Sequence, residues 1–223
     1  MTSIAAAYDQ WSGTYDADRN LTRDLDRSVT SEILGSRTFS VTLEAGCGTG
    51  KNTTLFAARS DGVLAMDFSR GMLGQAARRV CADNVLFIQS DVTQRWPCRD
   101  AVVELVSCNL VLEHLHDLCS FFREAGRALA PGGLLFLCEL HPYRQYQGKQ
   151  ARFKTEAGTT VRVEAYRHHA SDFTRCASNA DLRLERMDEW WHAEDASQPP
   201  RLISFVFRKS RHQGLCSVQG SIP

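Results

Sequence analysis

Glu44-Ala45-Gly46-Cys47-Gly48-Thr49-Gly50 places three glycines and one acid within seven residues. A glycine-rich turn lets a ligand touch the main chain, because no side chain keeps it away, and N–H groups at a helix start favour negative charge. Two phosphate-binding patterns come close. A dinucleotide fingerprint, G-x-G-x-x-G, fits Gly46 and Gly48 but meets Lys51 where its third glycine belongs. A P-loop, G-x-x-x-x-G-K-[ST], fits Gly50-Lys51 but meets Ala45 at its first position and Asn52 at its last. Acids recur further on. Asp67 stands where a carboxylate can accept both hydroxyls of a ribose. Asp91, with the adjacent main-chain N–H of Val92, can read the amino group and a ring nitrogen of an adenine. Phe68 and Met72 are placed to sandwich such a ring.

The elements that must hold these groups alternate. Apolar runs at Phe39–Leu43, Gly62–Met66, Asn84–Gln89, Val102–Cys108 and Leu134–Cys138 predict five strands. Helices are predicted between them: Asn52–Ala58, Arg70–Ala82 with Ser69 as its N-cap, and Leu118–Leu129, closed by Pro131-Gly132-Gly133. This repetition predicts a Rossmann-like α/β fold, a mostly parallel seven-stranded sheet with helices on both faces. In such sheets ligands bind at the carboxyl ends of the strands, where the glycine turn, Asp67, Asp91 and Asn109 fall. Upstream, Leu21, Leu25, Val29 and Ile33 recur every four residues as an amphipathic helix. Downstream, Ala151–Thr155 and Thr160–Ala165 alternate around Glu156-Ala157-Gly158, a β-hairpin insertion within residues 142–168. A helix at Asp172–Ala180 and an antiparallel C-terminal pair, Leu182–Trp190 and Leu202–Arg208, complete one domain over residues 1–208, with residues 1–35 as a cap. Residues 209–223 read as a disordered tail.

Composition excludes little but narrows the partners. Twenty-six basic and 26 acidic residues balance, so no general charge favours nucleic acid or anionic membrane. The first residues lack the basic and apolar regions of a secretory signal, and no apolar run is long enough to span a bilayer. Eight cysteines occur without a C-x-x-C pair. Reduced, buried thiols in a cytoplasmic protein are expected, with neither a zinc site nor a redox motif. His168-His169 are adjacent and point apart, so no metal is expected there either.

Taken in order, Leu43–Gly50, Met66-Asp67-Phe68-Ser69, Ser90-Asp91-Val92, Asn109–Leu115 and Leu129-Ala130-Pro131-Gly132-Gly133 resemble the class I S-adenosylmethionine (SAM)-dependent methyltransferases over residues 4–208. The E-x-G-x-G-x-G pattern matches at every position. The resemblance implies SAM as cofactor and S-adenosylhomocysteine as product. It implies cofactor contacts at Tyr15, Glu44, Ala45, Gly46, Gly48, Gly50, Asn52, Asp67, Phe68, Met72, Asp91, Val92 and Asn109. Tyr8-Asp9-Gln10-Trp11-Ser12-Gly13-Thr14-Tyr15-Asp16 resembles the family's aromatic cap, which folds over SAM in related enzymes.

The acceptor side follows less directly. Tyr8, Trp11, His114, His141, Tyr143, Tyr146, His169 and Trp191 are the expected substrate contacts, with His141, His168 and His169 as candidate bases and Tyr8 as an orienting group. An aromatic lid of this kind suits a small planar aromatic or heteroaromatic metabolite, methylated on N or O. The cap and His141-Pro142-Tyr143 resemble bacterial methyltransferases of secondary metabolism, including those of toxoflavin-type azapteridine pathways. No N-P-P-Y motif for nucleobase amines is present after the fourth strand, which continues Asn109-Leu110-Val111-Leu112. A methyltransferase on tRNA or protein and a silent SAM-binding protein stay open as alternatives. The expected partner is a small-molecule acceptor, with the chain as monomer or homodimer.

Overall fold

A computed structural model describes residues 4–17, 19–154 and 158–211. Nine strands are formed by them: β1 Phe39–Ala45, β2 Ser60–Asp67, β3 Val85–Gln89, β4 Val103–Asn109, β5 Leu129–Leu140, β6 Arg152–Lys154, β7 Thr160–Arg162, β8 Leu182–Trp190 and β9 Leu202–Lys209. Seven helices accompany them: α1 Ile4–Trp11, α2 Leu21–Leu34, α3 Thr53–Ala57, α4 Arg70–Arg79, α5 Leu118–Ala128, α6 Pro142–Tyr146 and α7 Ala170–Ser178. The main sheet has the order β3-β2-β1-β4-β5-β9-β8. Strands β1 to β5 run parallel, and β9 is antiparallel to both β5 and β8. This is the Rossmann-like arrangement expected from the alternation, with the C-terminal strands closing one edge. The predicted hairpin insertion is the separate β6–β7 pair, whose turn at residues 155–157 lies outside the described residues, as does the tail from residue 212.

Period-two alternation sends successive side chains to opposite faces, and the core follows it. On β9, Ile203, Phe205 and Phe207 pack into one cluster with Phe121 and Phe122 of α5 and Phe173 of α7. Leu202 and Val206 pack into the other, with Val29 and Ile33 of α2 and Phe56 of α3. Edge strand β8 is largely exposed and carries Arg183, Glu185, Arg186, Asp188 and Glu189, charges that discourage pairing with another chain.

Two expectations need correction. Pro131-Gly132-Gly133 does not separate a helix from a strand. Strand β5 already begins at Leu129, and the three residues form an irregularity within it: Val103 pairs with Leu129, whereas Leu105 pairs with Leu134. Gly132 supplies the positive φ of 84° that this detour requires. The cysteines are also not all thiols. Cys119 at the start of α5 and Cys176 in α7 form a disulfide that ties the two helices together. Cys47, Cys108 and Cys138 are free and buried as expected, while Cys81 is exposed. Among the described residues no helix is long and apolar enough to cross a membrane.

Candidate active site

The strand order reverses between β1 and β4, and a crevice opens at that point outside the carboxyl ends. Main-chain geometry shapes its floor. The N–H groups of Gly46 and Cys47 both donate to the Met66 carbonyl at 2.8 Å, which pins the turn after β1 against the end of β2. Gly46 has φ +81°, and a Cβ there would lie 2.3 Å from Cγ2 of Val111. Gly48 also has positive φ, but its missing side chain leaves open space. Asp67 ends β2 and is buried. Its Oδ2 accepts from Gly48 N–H at 2.8 Å and its Oδ1 from Ser69 N–H at 2.9 Å. Burial pushes its carboxyl up to about 6, although those two main-chain donors oppose the rise.

The resulting cavity holds about 470 Å3. Gly46, Gly48, Asp67, Phe68, Met72, Asp91, Val92 and Asn109 line it, as do Tyr8, Tyr15 and His114. Met72 is fixed from below, since Ser69 caps α4 by accepting its N–H at 3.1 Å. Asp91 is shaped by its own turn: Oδ1 accepts from Thr93 N–H and from Thr93 Oγ1, both at 2.8 Å.

The remaining cofactor candidates act from behind the wall. Glu44, Ala45, Gly50 and Asn52 are buried and do not line the cavity. Glu44 accepts a hydrogen bond of 2.5 Å from Thr53 Oγ1, and burial drives its carboxyl up to about 8. Gly50 lets α4 approach, with Ala76 and Val80 in the space a side chain would take. Asn52 donates to Asp26 Oδ2 at 2.8 Å. Asp26, buried in α2, also accepts from Asn109 Nδ2 at 2.6 Å. One carboxylate thus ties α2 to the turn after β1 and to the end of β4. Sequence reasoning passed over Asp26 as a polar position of an amphipathic helix. It also passed over Glu139, whose Oε1 accepts from both Val111 and Leu112 N–H at 3.2 Å and sets the loop after β4.

The cap closes the other side. Asp9 Oδ1 accepts from Ser69 Oγ at 2.6 Å and Gly71 N–H at 2.9 Å, which docks α1 on the start of α4. The Ser69 hydrogen bond, followed by that of Gly71, holds the Asp9 carboxyl below its ordinary range. Trp11 stacks on Phe153 of the hairpin with centroids 5.2 Å apart, and Tyr15 carries the Arg23 guanidinium 4.1 Å above its ring. His114 Nδ1 lies 2.6 Å from the Glu164 carbonyl, which can only accept. That nitrogen therefore carries the proton, and in the neutral ring Nε2 accepts from Tyr8 Oη at 2.8 Å. Burial holds the Tyr8 phenol well above its ordinary value, so it stays protonated and acts as a donor rather than a base.

The expected aromatic lid is not assembled. His141 is used at both ring nitrogens: Nδ1 accepts from Tyr143 N–H and Nε2 is 3.0 Å from Glu189 Oε1. His168 Nε2 bonds the Leu115 carbonyl at 2.7 Å, and its ring meets Phe173 edge-on. His169 caps α7 and stacks on Tyr146, away from the cavity. Tyr143, Tyr146 and Trp191 are exposed. None of the six lines the cavity. These segments are held by groups distant in sequence, His141 by Glu189 and His168 by the Leu115 carbonyl, which residue type alone does not reveal. No group of three His, Cys, Asp or Glu side chains among the described residues is arranged to hold a metal ion.

Comparison with known proteins places this geometry. A family model described as a methyltransferase domain matches residues 43–137, from the end of β1 through β5. Over residues 43–137 the chain carries a methyltransferase domain, and its fold resembles that of the class I SAM-dependent methyltransferases. A malonyl-[acyl-carrier protein] O-methyltransferase from Serratia marcescens is 33% identical over 141 residues, covering 62% of this chain and 52% of that one. A trans-aconitate 2-methyltransferase from Methylobacterium nodulans is 38% identical over 175 residues, covering 78% and 64%. The chain spans about half the length of most curated relatives it matches. Among solved structures, a DhpI–S-adenosylhomocysteine complex superposes with a TM-score of 0.72 at 21% identity, over 94% of this chain and 96% of that one. The fold is therefore that of these methyltransferases, and the crevice lies at the β1–β4 reversal, the place where open α/β sheets bind ligands.

Proposed function

We propose that the chain transfers a methyl group from SAM to a small-molecule acceptor, leaving S-adenosylhomocysteine. The observation that carries this reading is one cavity that gathers the glycine turn, Asp67, Asp91 and Asn109 from the ends of β1, β2, β3 and β4. The residues suit the cofactor. Gly48 leaves room over the main chain, Asp67 offers a buried carboxylate for ribose hydroxyls, and Phe68 and Met72 offer apolar surface beside Asp91 for an adenine. When bound, the cofactor supplies a methyl group already activated on a sulfonium. The chain then has to align an acceptor and keep water out. Tyr8, Tyr15 and Phe68 close over the cavity, and His114 holds the Tyr8 phenol in place.

The acceptor is small in this reading because the cavity of about 470 Å3, lined on one side by α1 and Glu164, must also hold the cofactor. A relative named for trans-aconitate supports a small acceptor. The planar heteroaromatic acceptor loses its main support, since the residues that suggested it lie elsewhere. The test is calorimetric titration with SAM, then incubation of labelled SAM with a bacterial metabolite extract and with bulk tRNA. SAM binding and label in a low-mass product are expected. Label in tRNA or protein alone would overturn the acceptor class, and absence of SAM binding would overturn the cofactor.

A further inference from the structure

A second cavity of about 380 Å3 adjoins the first and shares Tyr8, Tyr15 and Leu110 with it. Its chemistry is different. Arg23 of α2, Arg144 of α6, Arg201 before β9, and Lys149 and Arg152 of the insertion all line it. Glu113 is the one carboxylate on the same wall, and burial raises its pKa, which favours its neutral form. Behind the wall, a single acid serves two of the guanidiniums: Asp195 Oδ2 is 2.8 Å from Arg144 Nη2 and also bonds Arg201 Nη2. Asp16 lies 3.9 Å from Arg23 but is held closer, at 2.7 Å, by Arg79. Arginine does not give up its proton, and Arg23 and Arg144 are both buried. The chamber therefore carries more positive than negative charge in partly desolvated surroundings, which is costly until an anion enters.

We propose that this chamber anchors the acceptor by an oxyanion, a carboxylate or a phosphoryl group, so that the substrate class is a small acid. The inference rests on the cofactor reading above. A guanidinium fork matches either oxyanion bidentately, and desolvation strengthens the contact. The anchoring group is not itself the nucleophile, because cations bound to an oxygen withdraw the electrons it would need for attack. A second nucleophilic group on the same molecule reaches past Tyr8 and Tyr15 into the cofactor cleft, where the two cavities meet. At that group one bond to the methyl carbon forms as the carbon–sulfur bond breaks, and the sulfonium becomes a neutral thioether; a nucleophile that enters as an anion becomes neutral, and one that carries a proton releases it to water. This division also accounts for the histidines: His141 and His168 are engaged elsewhere, and the chamber selects by charge rather than by proton transfer.

The test measures anion binding without needing the acceptor. Malonate serves as the carboxylate probe and inorganic phosphate as the phosphoryl probe, each titrated by calorimetry with and without S-adenosylhomocysteine. Wild type is compared with Arg201→Gln and with Lys149→Ala/Arg152→Ala, whose side chains lie on the exposed insertion and whose loss leaves the core intact. At least one probe is expected to bind wild type, about tenfold more weakly to either variant, and more weakly as salt rises. S-adenosylhomocysteine affinity is expected to stay within about twofold in the Lys149→Ala/Arg152→Ala variant, which touches only this chamber. The stronger probe then identifies the acid class. Binding of neither probe to wild type, or equal binding to all three proteins, would overturn the proposal. Failure of S-adenosylhomocysteine to bind wild type would instead overturn the cofactor reading, and the anion titrations without it would still decide the chamber.

Discussion

The two cavities meet at Tyr8 and Tyr15 and are built on opposite principles. The first is made by main chain: the turn after β1, the ends of β2 to β4, and acids whose oxygens are aligned by N–H groups such as those of Gly48 and Ser69. The second is made by long side chains from α2, α6, the insertion and the segment before β9. Main-chain sites need particular residues at fixed spacing, because only glycine frees the turn and only an acid at the strand end meets the donors. Side-chain sites need only charge within reach, from any of several elements. In the proposed reading, the first cavity holds the cofactor by fixed motifs and the second sets the acceptor by charge.

The sharpest way to break this contrast is at Asp67. Asp67→Ala removes the acceptor of two main-chain donors and the carboxylate expected on the ribose. SAM affinity should fall by at least about a hundredfold, since leaving buried donors unpaired adds to the lost contact. Asp67→Asn, which keeps an acceptor oxygen, should lose less. Equal SAM affinity in wild type and Asp67→Ala by calorimetry would dissolve the distinction between the cavities.

The contrast also explains what could be read from the sequence. The first four strands, the Ser69 cap and the C-terminal pair follow from local periodicity and turn residues and form close to their expected bounds, whereas the fifth strand runs from Leu129 to Leu140, beyond the Leu134–Cys138 expected, and the hairpin strands are shorter than expected. Asp67, Asp91, Phe68 and Met72 face one cavity because strand ends in such a sheet share one edge. Long-range partnerships were not legible. Asp26 reads as the polar side of a helix, yet it is buried between Asn52 and Asn109, residues distant in sequence. Arg144 reads as a solvated charge, yet Asp195 and the Pro200 carbonyl hold it inside. Cys119 and Cys176 meet only because α5 and α7 pack together. Pro131-Gly132-Gly133 carries a strong stop signal, and pairing with β4 overrides it.

A second prediction separates two glycines of the same turn. Gly46→Ala must accommodate a Cβ at 2.3 Å from Val111 in a left-handed conformation, and should cost about 3 kcal/mol of stability. Gly48→Ala meets open space and should cost about 1 kcal/mol, from its positive φ alone. Gly48 lines the cavity proposed for SAM, so the variant's loss of SAM affinity should exceed its loss of stability. Urea midpoints and SAM titrations on both variants check the pair. Similar stability losses would mean that the turn is not pinned by Val111.

The last effect concerns pH, and it is confined to the first cavity. Glu44 beneath it is held up at about 8 by burial, against 4.5 in an unfolded chain. Between those values the folded protein keeps a proton that the unfolded chain has released. The contribution is therefore fully present below pH 4.5 and is lost as pH rises through 8. Glu44→Gln stays neutral throughout and keeps an oxygen for Thr53 Oγ1. Wild type should lose about 2 kcal/mol more than Glu44→Gln between pH 5 and pH 8, with Asp26 and Asp67 nearby sharing part of the titration. Urea midpoints at four pH values measure it. Parallel curves would show that Glu44 is ionised in the fold, and that the turn tolerates a second charge beside Asp67 without a cation to offset it.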